Sequence, residues 1–166
     1  ILANDGLHYD LVLLLQGDEP QIFPEDIGNL KQVFSNKELE VVNLVFPISG
    51  DDLEDPNVVK VALDKNLTIH FFSRSHIPHD CTNGYRQLGM IGLTNKALND
   101  YVSLLPTALE EVESIDMMRL IENDFSIQGV LSTSPILGVD TPQDLKKVEK
   151  IMMNDKFVNL YKEKYI

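Results

Sequence analysis

Leu11-Val12-Leu13-Leu14-Leu15-Gln16-Gly17-Asp18-Glu19-Pro20 is the stretch on which the fold turns. An unbroken apolar run with no alternation describes a strand covered on both faces, as in sheets flanked by helices, and the polar turn after it ends the strand abruptly. Pro24 then suits a first helical position. Glu25 and Asp26 fall near the positive end of the helix dipole, and Ile27, Leu30 and Phe34 are spaced for one apolar face. The opening unit reads as strand, loop, helix.

Working outward, residues 41–48 predict a second strand, and 58–63 with 67–72 predict a hairpin around Asp64-Lys65-Asn66. Residues 73–84 read as a polar irregular loop, 86–94 as a further strand and 127–131 as the last one. Asn95 is placed to cap a short helix. Thr107 with Glu110 has the spacing of a capping box opening a longer helix to about Asn123. Thr141-Pro142 opens a final helix with Leu145, Val148 and Met152 on one face. Alternating strands and helices predict an α/β fold with a mainly parallel sheet. No repeat or linker divides the chain, so residues 1–166 read as a single domain.

Composition narrows the function. At 166 residues and 43% hydrophobic, the chain has material for one sizeable core. A formal charge of −12 disfavours nucleic acid as a partner, because phosphate binding draws on clustered Lys and Arg; the acidity reads as a solvated surface. The apolar runs fall far short of the roughly 20 residues that cross a bilayer, and no leader pattern opens the chain, so a soluble protein with no membrane partner is expected. A single cysteine, Cys81, excludes an intrachain disulfide and fits a reducing, cytoplasmic setting.

In open α/β sheets ligands sit beyond the carboxyl ends of strands, which is where Asp18 falls. Asp140, in Gly138-Val139-Asp140-Thr141-Pro142, follows the last strand; Thr141 can cap the helix and leave Asp140 free. Two carboxylates at strand ends suit Mg2+ bound together with substrate phosphates. Arg74 and Arg86 are candidates for gripping an anionic substrate, each weighed equally against a surface ion pair. Arg119 reads as the helical partner of Asp116 or Glu122. His76, His79, Asp80 and Cys81 sit in one loop without a second ligand pair, which argues against zinc, and no base can be named for Cys81 as a nucleophile.

Several segments together resemble the 3-deoxy-manno-octulosonate cytidylyltransferase family. They are Gln16-Gly17-Asp18-Glu19-Pro20, Asp55-Pro56-Asn57-Val58-Val59-Lys60-Val61, Phe72-Ser73-Arg74 with Ile77-Pro78, and Arg86-Gln87-Leu88-Gly89. Leu109-Glu110, Glu113-Ser114 and Arg119 follow, and Gly138-Val139-Asp140-Thr141-Pro142 with Asp144-Leu145 completes the set. The resemblance implies a Rossmann-like, GT-A-like nucleotidyltransferase fold. It also implies transfer of CMP from CTP to a 2-keto sugar acid, with release of pyrophosphate, for lipopolysaccharide synthesis by a homodimer. On that analogy Asp18 and Asp140 hold Mg2+, Arg74 binds the sugar carboxylate, and Gln16, Gln87 and Glu113 hydrogen-bond the sugar. Many members carry His where this chain has Gln87, which keeps hydrogen bonding but removes an acid role and leaves the identity of the sugar open. The family's opening strand and its Gly-, Arg- and Lys-containing loop have no counterpart before Leu11. The expectation is therefore an amino-terminally truncated domain with an unpaired apolar edge and little activity alone. A transferase for a sialic-acid-type sugar and a non-catalytic binding module of the same fold stay open as alternatives.

Overall fold

One long strand, β5 (Asn83–Thr94), joins the parts of the sheet. The structure, a computed structural model, describes residues 9–36 and 38–157. Around β5 stand β1 (Leu11–Leu15), β2 (Val41–Ser49), β3 (Lys60–Leu63), β4 (Thr68–Ser73) and β6 (Ile127–Leu131), in the order β1-β5-β2-β6-β4-β3. β5 keeps β2 along one side for its whole length. On its other side, the first half takes β3 and the second half takes β1. Because β3 also pairs with β4, and β4 with β6, the strands β2, β6, β4, β3 and β5 form a closed circuit of hydrogen-bonded neighbours. Among the described residues β1 pairs only with β5, at the end of the strand order.

The sheet is mixed, and this corrects the expectation of a mainly parallel one. Among the described residues only β2 and β6 pair in parallel. β1, β2 and β6 do share a direction, but β5 is inserted antiparallel between β1 and β2, and the β3–β4 hairpin adds further antiparallel neighbours. An apolar run reports two covered faces; it carries no information about the direction of the strand beside it.

Both faces are covered. Alternation along β2 sends Val42 and Leu44 toward α1 (Pro24–Val33), where Leu30, Leu88, Met90 and Ile136 join them. Val41 and Val45 face the other way, with Phe72, Ile91 and Ile127. That side is closed by α2 (Asn95–Ser103), α3 (Ala108–Glu113) and α4 (Met117–Glu122), through Ala97, Leu109, Met118 and Leu120. A last helix, α5 (Pro142–Met152), buries only Val148 fully; Leu145 stays exposed, so the expected apolar face is narrower than its spacing suggests.

Two helix boundaries differ from expectation. Thr94, one residue before Asn95, is the cap of α2, its hydroxyl accepting from the Ala97 N–H. The single long helix after Thr107 is instead two short ones, α3 and α4. Ser114 adopts a left-handed conformation between them (φ 55°), and Ile115 turns into the core. The Thr107–Glu110 capping box is half made, the Thr107 N–H donating to Glu110 Oε2 at 3.2 Å while Thr107 Oγ1 has no hydrogen-bond partner among the described residues. The turn at Asp64 is present, its carboxylate accepting from the Asn66 and Thr68 N–H groups.

Phe72 is completely buried, and its N–H points at the sulfur of Met118. Phe72→Ala should cost about 3–5 kcal/mol of stability through lost burial and an unfilled cavity. Urea unfolding would show this, and a cost below about 1 kcal/mol would contradict the packing described.

Candidate active site

Between Asn43 and Val45 the β2–β5 ladder slips, so that Asn43 faces Ile91 while Val45 faces Gln87. The extra residues of β5 between these pairs, within Leu88 to Met90, bulge from the ladder. Asn43, itself buried, lies against the bulge: its Nδ2 faces the carbonyl oxygens of Leu88 (2.9 Å) and Met90 (3.1 Å). At the centre of the bulge, Gly89 receives the loop after β1. Its N–H donates to Glu19 Oε2 at 2.7 Å and its carbonyl accepts from the Gln16 N–H at 2.9 Å. A Cβ on residue 89 would lie 2.6 Å from Gln16 Oε1 and 2.7 Å from Gln16 Cβ, so only glycine permits this approach.

The segment after β6 returns to the same place. Asp26 lies in the first turn of α1, as expected, and is also buried, accepting from the Ser132 hydroxyl at 2.8 Å. The Leu137 N–H donates to Gln21 Oε1 (3.3 Å), and the Val139 N–H donates to the Asp18 carbonyl oxygen at 2.9 Å. Asp18 and Asp140 are thereby brought to one open cleft of about 340 Å3, lined also by Gln16, Arg74, Arg86 and Gln87.

Both aspartates are exposed, and neither carboxylate has a protein hydrogen bond or ion pair among the described residues. Thr141 caps α5 in a capping box with Asp144, which leaves Asp140 free, as expected. Glu19 lies beneath them. Burial raises its pKa to about 7 against the pull of the Gly89 N–H and of Arg86, and the charges of Asp18 and Asp140 raise it further. Among the described residues no group of three or more His, Cys, Asp or Glu is arranged to hold a metal ion; the two unpartnered carboxylates suit a hard cation such as Mg2+ only in the mode in which substrate phosphates supply further ligands.

The cations divide their work. Arg74 lies on the cleft, but each of its nitrogens already serves a backbone carbonyl: Nε that of Glu113 (3.1 Å), Nη1 that of Pro56 (3.0 Å) and Nη2 that of Ser114 (3.4 Å). A guanidinium has five N–H bonds, so two remain. These bonds also explain the break after α3, since they satisfy the carbonyls of its carboxyl end. Glu113 does not line the cleft; its carboxylate accepts from the Ser73 hydroxyl and the Arg74 N–H. Lys60, completely buried, donates to the carbonyls of Asp55 and Arg74, and burial lowers its pKa. Arg86 also lines the cleft. Its side chain has no protein hydrogen bond or ion pair among the described residues, its Nε is buried without a partner, and its charge is felt by Glu19.

Outside the cleft, Arg119 pairs with Glu110 (Nε to Oε2, 2.7 Å) and lies over the Tyr101 ring. This corrects the expected pairing with Asp116 or Glu122. His76 sits between Glu54 Oε1 (2.6 Å) and the Cys81 carbonyl (3.0 Å), and His79 lies beside Asp80. Sequence reasoning missed Asn43, Lys60 and Glu19. Asn43 alone left a signal, as a polar residue inside the apolar run of β2.

The same architecture occurs in solved nucleotidyltransferases. A CMP:2-keto-3-deoxy-manno-octonic acid synthetase complexed with CTP superposes with a TM-score of 0.78 at 31% identity, covering 89% of this chain and 63% of that one. A Bacillus anthracis protein described as a glucose-1-phosphate thymidylyltransferase shares the fold, with a TM-score of 0.63 at 20% identity over 89% of this chain and 56% of its own. The chain belongs to the cytidylyltransferase family, whose model matches residues 2–131. Its relatives include the 3-deoxy-manno-octulosonate cytidylyltransferase of Chlorobium limicola, 40% identical over 159 residues, covering 90% of this chain and 64% of the relative. That of Fusobacterium nucleatum is 36% identical over 146 residues, covering 84% and 60%. The chain thus spans just under two thirds of the length of these relatives.

Gly89→Ala should cost about 1–3 kcal/mol or push the Gln16–Glu19 loop off β5. Thermal unfolding together with the 15N–1H signals of that loop would show either result, and neither changing would refute the close approach. For Glu19, the unfolded carboxyl titrates near 4.5 and the folded one near 7, so between these values unfolding releases a proton and stability falls as pH rises. Glu19→Gln should therefore match the parent at low pH and exceed it by up to about 3 kcal/mol above the folded value. Urea unfolding without divalent metal on both sides of this window checks the sign; a constant difference would exclude it.

Proposed function

We propose that the protein transfers CMP from CTP to the anomeric hydroxyl of a 2-keto-3-deoxy sugar acid, 3-deoxy-manno-octulosonate or a close analogue, releasing pyrophosphate. The observation that carries the reading is one cleft lined by two carboxylates free of protein hydrogen bonds among the described residues, Asp18 and Asp140, and by the guanidinium groups of Arg74 and Arg86. Acidic and guanidinium groups on one cleft suit a cation-bound triphosphate and an anionic sugar respectively.

In the reaction the anomeric oxygen forms a bond to the α-phosphorus of CTP, the bond from that phosphorus to the β-phosphate oxygen breaks, and the hydroxyl proton passes to solvent. Asp18 and Asp140 would hold Mg2+, which when bound offsets phosphate charge and orients the reacting oxygens. Arg86 and the two spare N–H groups of Arg74 take the sugar carboxylate, while Gln16 and Gln87 hydrogen-bond its hydroxyls. Glu113 acts through Arg74, whose backbone and neighbour Ser73 it holds. The family resemblance extends this reading to a homodimer working in the cytoplasm for lipopolysaccharide synthesis.

Pyrophosphate release from CTP, Mg2+ and 3-deoxy-manno-octulosonate tests it, with this chain and one of the relatives' full length assayed side by side. Asp18→Asn and Asp140→Asn should each lower kcat by about a hundredfold or more while the fold is kept. Arg86→Leu should raise the KM of the sugar acid about tenfold or more. Undiminished rates in both aspartate variants would sink the metal site. Release with a sialic-acid-type sugar only would move the substrate, and no release with any acid sugar would favour a binding module.

A further inference from the structure

Asn43 is completely buried, so each of its polar atoms needs a partner. Its Nδ2 faces the carbonyl oxygens of Leu44 (3.1 Å), Leu88 (2.9 Å) and Met90 (3.1 Å), groups that can only accept. Turning the amide about would set oxygen against three oxygens, so its orientation follows from the backbone. Oδ1 is then committed to accepting, and what it accepts is an N–H of Gln87 Nε2, at 2.8 Å. The same constraint passes one residue outward: turning the Gln87 amide would set its Oε1 against Oδ1 of Asn43. The Gln87 backbone is pinned as well, its N–H donating to the Val59 carbonyl at 2.8 Å. Gln87 lines the cleft, and its oxygen takes no hydrogen bond among the described residues.

We propose that Asn43 is a positioning residue that sets the polarity of Gln87, so that the cleft presents Gln87 Oε1 as a fixed acceptor and demands a hydrogen-bond donor, a hydroxyl or an ammonium, at one position of the acid sugar. The proposal rests on reading the cleft as a sugar-acid site. It differs from what a histidine at this place would supply, since an imidazole can turn either a donor or an acceptor toward the sugar. Selectivity here starts two residues away from the ligand, in the backbone carbonyls of the β5 bulge that Asn43 Nδ2 faces.

The probes are 3-deoxy-manno-octulosonate and its monofluoro analogues, in which fluorine replaces one non-reacting hydroxyl at a time and cannot donate. One analogue should show a KM raised about tenfold, with kcat and the KM for CTP within about twofold. In Gln87→Met that analogue and the parent sugar should bind alike. Asn43→Thr should raise the KM of the parent sugar about fivefold in the unsubstituted protein and add nothing in the Gln87→Met background. An equal effect of Asn43→Thr in both backgrounds, or no analogue coupled to Gln87, overturns the proposal. Should Asn43→Thr fail to fold, the side-chain amide signals of the unsubstituted chain decide the pairing without any variant. One Gln87 Nε2 proton should exchange slowly, and solvent-rate exchange of both overturns the pairing. Absence of turnover with every acid sugar would refute the sugar reading and the donor demand, while the amide protons would still report on the Asn43–Gln87 bond.

Discussion

The contact of Gly89 with the loop after β1 is the constraint on which the rest depends. A backbone N–H of a bulged strand meets the Glu19 carboxyl, the carbonyl beside it meets the Gln16 N–H, and no side chain fits between. This joins the segment after β1, which bears Asp18, to the strand that bears Arg86 and Gln87. The segment bearing Asp140 is then added through the Val139 N–H. From the other side the bulge is faced by the side-chain amide of Asn43. The part of the site built from residues 16, 18, 86, 87 and 140 thus gathers, locally, around one irregularity in one ladder, while Arg74 is placed by its own bonds to the carbonyls of Pro56, Glu113 and Ser114.

What could be read from the chain follows the range of the physics. β1 and β6 were legible to the residue because their apolar runs stop at polar turns, and the hairpin at Asp64 was legible because its turn is local. Strand direction was not legible, since two covered faces look the same beside a parallel or an antiparallel neighbour. The break at Ser114 was equally hidden, because it depends on Arg74 bonding carbonyls some forty positions away. β5 begins earlier than its apolar run suggests, as Asn83 and Gly84 are held by β2 rather than by their own propensity.

The site divides the same way. Asp18 and Asp140 could be picked out because acids at strand ends have a recognisable chemistry. Arg86 could only be weighed against a surface pairing, and that its side chain makes no hydrogen bond or ion pair among the described residues emerges from the assembled structure. Lys60 and Glu19 take their character from burial, which a motif does not display. In a molecule with 26 acidic against 14 basic side chains, the acid that feels the charge of Arg86 is the buried Glu19, a neighbour no local pattern announces.

The attachment of the strands also distributes stiffness. Gln87 and Arg86 ride on a strand that belongs to a closed circuit, where each member is braced from two sides, and Arg74 adjoins the end of another. The acidic side of the cleft is set against that wall by loop contacts, the Gln16 N–H on the Gly89 carbonyl and the Val139 N–H on that of Asp18. The cationic and amide groups therefore stand on a fixed template, and distances across the cleft are defined from that template outward.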